Sequence, residues 1–264
     1  MPYLYDTHVH TCQGSKCGTS TGAEHARFYK EIGFHGIIIT DHFFNGNTAV
    51  PADLPWKERV DMFCSGYEDA LIQGQKIGLD VFFGWEQNYS HDEYLIYGLD
   101  KAWLLSHPEV EHWTRADQLR EVTRLGGCVV QAHPFRNRDY IQHIILAPQY
   151  CHGAEVINMG NHPYNDAAAY LYAKEFGLSM TAGSDNHFSI PENGNSNIGG
   201  IALDAPLSCI GDYVRIIREH LPLRFSVDAS RLEIPPDAPC LETFWLDENE
   251  QPSPTCRDWL HFKA

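Results

Sequence analysis

The chain has 264 residues, 43% of them hydrophobic, which suffices for one large domain with a sizeable core or for two small ones. Its 35 acidic residues against 19 basic ones give a formal charge of −16, a field that repels polyanions and argues against a nucleic-acid duplex as partner. No stretch approaches the roughly 20 apolar residues of a membrane span, and the opening residues lack the basic flank and apolar run of a leader, so a cytoplasmic location with no membrane partner is the expectation.

In chain order, residues 4–10 alternate with period two and predict a strand. Ser20 or Thr21 followed by Glu24 reads as a capping pattern that opens a helix running to about Gly33. Residues 36–40 form a β-branched run of the kind buried in parallel sheets. A helical stretch over 56–78 leads to strands over 81–86 and 94–99. A helix over 114–125 stops at Gly126-Gly127, and strands follow at 128–132 and 154–158. A helix over 166–176 ends at Gly177, strands at 179–183 and 200–203 come next, and a last helix lies near 212–220. So many β–α units predict an α/β fold whose parallel sheet closes into a barrel and so loses its edges. The stretch after about Leu232 is rich in prolines and acids and reads as irregular cover or a short add-on. Eight scattered cysteines without a CxxC pair read as reduced residues.

The chemistry sits where the strands stop. The first strand ends in Asp6-Thr7-His8-Val9-His10, and side chains at i and i+2 share a face, so His8 and His10 can grip one metal ion. Alone, the pair is a weak signal and reads more readily as two surface histidines on an edge strand. Later strands finish in Thr40-Asp41-His42, Gly84-Trp85-Glu86, Gln131-Ala132-His133-Pro134 and Gly183-Ser184-Asp185-Asn186-His187. Each of these has a plain structural explanation, but five strands finishing at one end in a histidine or carboxylate do not share one. In parallel α/β barrels those ends meet at one mouth. The nitrogen and oxygen donors suit zinc, manganese or iron, and an open catalytic site rather than a structural zinc.

The order His-x-His, Thr-Asp-His, Gly-x-Glu, Ala-His-Pro, Gly-Ser-Asp-x-His resembles the signature of the PHP (polymerase and histidinol phosphatase) superfamily, over residues 5–203. The resemblance implies a distorted seven-stranded α/β barrel over residues 1–232, with two or three divalent ions (Zn, Mn or Fe) at the strand C-termini. Residues 233–264 would be an irregular C-terminal tail packing on the barrel. It further implies that His8, His10, Glu86 and Asp185 hold one ion. Glu86 would bridge to a second ion, held also by His133, and His42 and His187 would hold a third.

Two departures from the family pattern stand out. Where many members have Ser-Asp-Gly, this chain has Ser15-Lys16-Cys17-Gly18, so one ligand of the third ion is absent or replaced. Lys16 would weaken that site or approach substrate phosphate, and Cys17 reads as a thiolate ligand or, by default, a structural cysteine. Where members often place a histidine before the strand at 94–98, this chain has His91-Asp92-Glu93. Glu93 aligns nearest the missing ligand, with Asp92 and His91 as competitors, and an oxygen-rich shell favours manganese or iron over zinc.

The function implied is that of a metal-dependent phosphoesterase acting on a small phosphorylated metabolite or nucleotide. Two ions bridged by Glu86 would share a water, lower its pKa and give a hydroxide for in-line attack, while the ions neutralise charge on the phosphoryl oxygens. His187, His42 or a metal-bound water would protonate the leaving oxygen. Arg136, three residues beyond His133, is placed to fork onto phosphate, with a surface ion pair as the plain alternative. Two other functions compete: a metal-dependent hydrolase of a non-phosphate ester or amide, and a non-catalytic metal-binding PHP module. The largely intact ligand set favours an enzyme.

Overall fold

The computed structural model of the chain describes residues 2–90, 92–189, 197–247 and 249–261. Strand β1 (Tyr3–Val9) leads to helix α1 (Gly22–Glu31). Thr21 opens α1 with the expected capping box: its hydroxyl accepts the Glu24 N–H, and the Glu24 carboxylate accepts the Thr21 N–H. After β2 (Gly36–Ile39), the helix expected over 56–78 is two helices, α2 (Trp56–Phe63) and α3 (Ser65–Ile77). At the break the Ser65 hydroxyl donates to the Met62 carbonyl, a side-chain bond that competes with the backbone ladder.

The remaining elements are β3 (Asp80–Tyr89), β4 (Asp92–Tyr97), α4 (Lys101–Ser106), α5 (Arg115–Arg124), β5 (Cys128–Gln131) and β6 (Ile144–Leu146). Next come β7 (Gly153–Asn158), α6 (Pro163–Phe176), β8 (Ser179–Gly183) and β9 (Ile201–Leu203). The described chain is completed by α7 (Ile210–Arg218), β10 (Arg224–Phe225), β11 (Thr243–Leu246) and β12 (Pro252–Pro254). Among the described residues no helix is long and apolar enough to cross a membrane.

The main sheet runs β10-β9-β1-β2-β3-β4-β5-β7-β8. Just past β8, Asn186 pairs with Val9 of β1, its carbonyl accepting the His10 N–H at 2.8 Å, so the strands from β1 round to β8 nearly close on themselves. The distorted barrel is thus met, with nine strands in the sheet instead of seven, because β9 and β10 continue it antiparallel beyond β1. The expected all-parallel sheet is corrected at β4, which runs antiparallel to both neighbours. β3 ends at Tyr89 and β4 begins at Asp92, and so short a connection can only join antiparallel strands. Inside the ring, Tyr5, Ile38, Leu95, Tyr97, Val130 and Val156 belong to one buried core, which fills the barrel floor below the strand ends.

The tail is not irregular throughout. β11 adds in parallel to β6 and antiparallel to β12, a second sheet of three strands. The run Thr243-Phe244-Trp245-Leu246 is β-branched and aromatic, and it finds its partner in β6. Trp259, 2% exposed, packs edge-on against Phe135 and Tyr172 and ties the tail to the main core.

Candidate metal centre

Six strand ends deliver the eight side chains expected to bind metal. His8 lies at the end of β1 with His10 just beyond, while Val9 between them turns into a separate apolar cluster, as the strand period demands. His42 follows β2 and bridges to Glu86 in β3, and Glu93 enters from β4 opposite Asn88. His133 stands past β5, and Asp185 and His187 past β8. His133 and Asp185 both have left-handed backbones (φ +28° and +55°), unusual for residues with side chains and found where a site fixes direction at the expense of local strain.

The donor atoms of these eight residues form four overlapping triads, each within 4.8 Å: His8-His10-Asp185, His8-Glu86-His133, His42-Glu86-Glu93 and His10-His42-His187. Within them, His133 Nε2 is 3.1 Å from Glu86 Oε1, His10 Nε2 is 3.1 Å from Asp185 Oδ1, and His42 Nδ1 is 2.8 Å from Glu86 Oε2.

The arrangement fits cations. His8 Nδ1 faces the Glu155 carboxylate at 3.0 Å, which can only accept, so the proton sits on Nδ1 and Nε2 carries the lone pair. His10 Nδ1 faces Ser15 Oγ at 3.1 Å, whose own proton goes to Asp41 Oδ1 at 2.7 Å, so His10 Nε2 is a lone pair as well. These two Nε2 atoms stand 3.0 Å apart in a fully buried place. Only a proton or a cation makes that contact favourable. Glu86 Oε2 and His42 Nδ1, also buried, lack an aligned hydrogen-bond partner despite their proximity.

The charges are strongly coupled to the site. Burial opposes charge on Glu86, but His8 and His42 overcome it and hold its carboxyl well below the usual range. Burial is likewise outweighed at Asp185, by Arg136 and then His8. On His8 burial is outweighed by Glu155, Asp185 and Glu86, which lift it well above an ordinary imidazole. His10 goes the other way, lowered by burial and by the nearby His42 and His187. A proton on His8 is therefore what a bound cation would displace.

Arg136 is not a surface ion pair. Its Nη2 donates to Asp185 Oδ2 at 2.5 Å and Asn158 Oδ1 at 2.9 Å, and its Nε to Asn161 Oδ1 at 3.1 Å, while the residue still lines the mouth. Asp92 faces away from the triads: Arg115 grips it with Nε at 2.7 Å and Nη2 at 2.5 Å. His91 lies outside the described residues. Lys16 is exposed, whereas Cys17 is half-buried and lines the mouth. Burial raises the Cys17 thiol, but hydrogen bonds with His187 and His42 outweigh it and bring the pKa down to about 6.

Sequence reasoning missed the residues behind the first layer. Glu155, in the middle of β7, holds His8 through one oxygen, and its other oxygen accepts the His133 N–H at 3.1 Å and the Asn158 amide at 2.8 Å. Asp41 carries Ser15 and, through it, His10, and it also accepts the Thr11 N–H at 2.6 Å. Asp41 was readable as the middle of Thr40-Asp41-His42, but Glu155 has no motif around it.

The mouth opens into a cavity of about 490 Å³, whose lining includes Cys17, His42, Glu93, Arg136, Asp185 and His187 on the metal side and Asn45, Asn47, Asn88 and Tyr140 beyond. That volume suits a small molecule.

No family model and no curated protein matches the chain. Solved structures do. A two-domain protein from Bacteroides vulgatus containing a predicted PHP-like metal-dependent phosphoesterase is similar at a TM-score of 0.61 and 17% identity over 85% of this chain. The chain spans 64% of that protein's length. A candidate metal-dependent phosphoesterase from Bifidobacterium adolescentis is similar at 0.52 and 18%, over 87% of this chain and 99% of that one. An amidohydrolase from Chromobacterium violaceum, solved with sulfate and no metal, is similar at 0.51 and 15%, over 86% and 99%. The chain thus shares the fold of PHP-like metal-dependent phosphoesterases, as the order of its motifs implied.

Proposed function

We propose that this chain is a metal-dependent phosphoesterase acting on a small phosphorylated substrate. The observation that carries the reading is the convergence of eight histidines and carboxylates at one barrel mouth, with buried lone pairs facing each other and the cavity directly above them. His8, His10, Glu86 and Asp185 would hold one ion, Glu86 with His133 and Glu93 a second, and His42 with His187 a third. Divalent ions bound there supply Lewis-acid neutralisation of a phosphoryl group and acidify water at neutral pH.

The chain's own residues do the rest. Glu155 and the Ser15-Asp41 pair fix the tautomers of His8 and His10, so that both turn Nε2 inward. Arg136 neutralises the outer oxygen of Asp185, leaving Oδ1 for the ligand cluster, and puts a positive charge at the cavity wall. In this reading His42 and His187 serve as ligands, and the leaving oxygen takes its proton from solvent in the cavity. The amide-lined outer wall, Asn45, Asn47 and Asn88, offers hydrogen bonds without charge to the part of the substrate beyond the phosphate.

A second reading keeps the site and changes the bond. The likeness to an amidohydrolase makes a non-phosphate ester or amide the competing substrate. The two separate in a side-by-side assay of an aryl phosphate, an aryl acetate and an anilide, with zinc, manganese or iron added and with His8→Ala as a blank. Turnover of the phosphate that is lost in the variant supports the phosphoesterase. Turnover confined to the acetate or anilide overturns it in favour of the second reading.

A further inference from the structure

We infer that Cys17 is a thiolate ligand of the ion held by His42 and His187, standing where the family pattern leaves a ligand missing. The inference rests on the metal-centre reading above and extends it to a residue outside the expected ligand set.

The placement comes from the backbone. The segment after β1 is pinned on both sides to the loops that carry the two histidines. On one side the Lys16 N–H donates to the Asn47 carbonyl at 2.9 Å, and Ser15 bridges to Thr48, in the loop that follows His42. On the other, the Thr19 N–H and hydroxyl both donate to the His187 carbonyl, at 2.8 and 3.1 Å. Between these anchors Lys16 turns to solvent and Cys17 turns to the mouth, where it lines the same cavity wall as His42 and His187.

The two histidines are prepared for a ligand. His187 Nδ1 is taken by the Asp185 carbonyl at 2.7 Å, which leaves Nε2 as its open donor. His42, only 8% exposed, turns its Nδ1 to Glu86 Oε2 at 2.8 Å and also belongs to the donor triad with His10 and His187. Two imidazoles and a thiol lining one cavity wall offer a nitrogen–sulfur set, and soft thiolate favours zinc or iron over manganese. On binding, the thiol gives its proton to solvent and the sulfur lone pair forms the bond to the ion. The oxygen-rich end of the centre, at Glu86 and Glu93, would keep its own preference, so the two ends differ in the ions they select.

The test is reconstitution of the full chain with cobalt(II), reading the near-ultraviolet thiolate-to-cobalt absorption and the cobalt content per chain. Cys17→Asp and Cys17→Ala are compared with wild type, and Cys12→Ala serves as a control for the neighbouring half-buried cysteine. The expected result is a thiolate band in wild type and in Cys12→Ala. Cys17→Asp loses the band while keeping its cobalt, and Cys17→Ala loses the band together with one cobalt per chain. Wild-type protein loaded with cobalt but lacking the band overturns the inference and leaves the metal centre standing. A band that persists in Cys17→Asp overturns it too. Wild-type protein that takes up no cobalt overturns both this ligand and the centre on which it rests.

Discussion

Glu155 Oε1 lies 3.0 Å from His8 Nδ1, and the same carboxylate receives the backbone N–H of His133 through Oε2 at 3.1 Å. One buried side chain thus sets the ring of one candidate ligand and the backbone of another. Partners of this kind are typically worth 10–100-fold in metal affinity. Glu155→Gln keeps the shape but brings an amide N–H₂ against a donor. Competition against a chelator should show a loss of roughly 10–100-fold in affinity with the fold intact by circular dichroism. Unchanged affinity would mean that Glu155 is only a structural acid.

Arg136 and Asp185 are 49 positions apart and joined at 2.5 Å. Lysine cannot reproduce the planar fork that reaches Asp185, Asn158 and Asn161 together. Arg136→Lys should weaken metal binding by about 10-fold. Arg138→Lys should leave it unchanged, since half-buried Arg138 donates to the Gly160 and Asn137 carbonyls and to none of the candidate ligands among the described residues. Equal effects in both would remove the positioning role assigned to Arg136.

Asp92 stands one residue from Glu93, yet it serves stability instead of the metal centre. Arg115 holds it in a buried two-pronged pair and also reaches Glu250 and the Tyr89 carbonyl. Breaking such a pair strands a buried charge at a cost of about 3–5 kcal/mol. Urea unfolding of Arg115→Ala should register that loss, while Asp92→Asn keeps its metal content. A drop in bound metal on Asp92→Asn would return Asp92 to the ligand set.

What could be read in the chain were the features that repeat at strand ends. His8 and His10 share a face by period, and Thr40-Asp41-His42, Glu86, His133 and Asp185 each close a run of apolar residues, so their convergence followed from the barrel alone. The hidden features depend on contacts between distant positions. Glu155 sits mid-strand among apolar residues, with nothing local to mark it. The reversal of β4 hung on the length of one connection. The tail's strands were masked by prolines, because pairing with β6 across about a hundred residues leaves no local trace. Cys17 differs again: its neighbour Lys16 drew attention as the departure, while the half-turn between them decides which side chain faces the mouth.

His152 gives a pH signature independent of the metal centre. Its Nδ1 accepts the Val129 N–H at 3.0 Å and its Nε2 meets Thr123 Oγ1 at 3.1 Å, a pattern that needs a neutral ring. Burial, then Arg218, lowers its pKa from 6.5 to about 4. Between those values the unfolded chain binds more protons than the folded one, so this contribution is full above pH 6.5 and lost as pH falls toward 4. Comparing His152→Asn with wild type by chemical denaturation, the gap should narrow by about 1 kcal/mol from neutral to acid pH, the partly exposed ring being screened by solvent. A gap that is constant or widens in acid would contradict the assignment.

The central claim is that the eight converging side chains form a multinuclear metal centre bridged by Glu86. The most direct measurement is metal content per chain by mass spectrometry, after reconstitution and desalting, for wild type beside Glu86→Gln. The account predicts at least two tightly held ions in wild type and the loss of at least one on Glu86→Gln, with the fold retained. Folded wild-type protein that retains no ion, or Glu86→Gln that retains the full wild-type number, would contradict it.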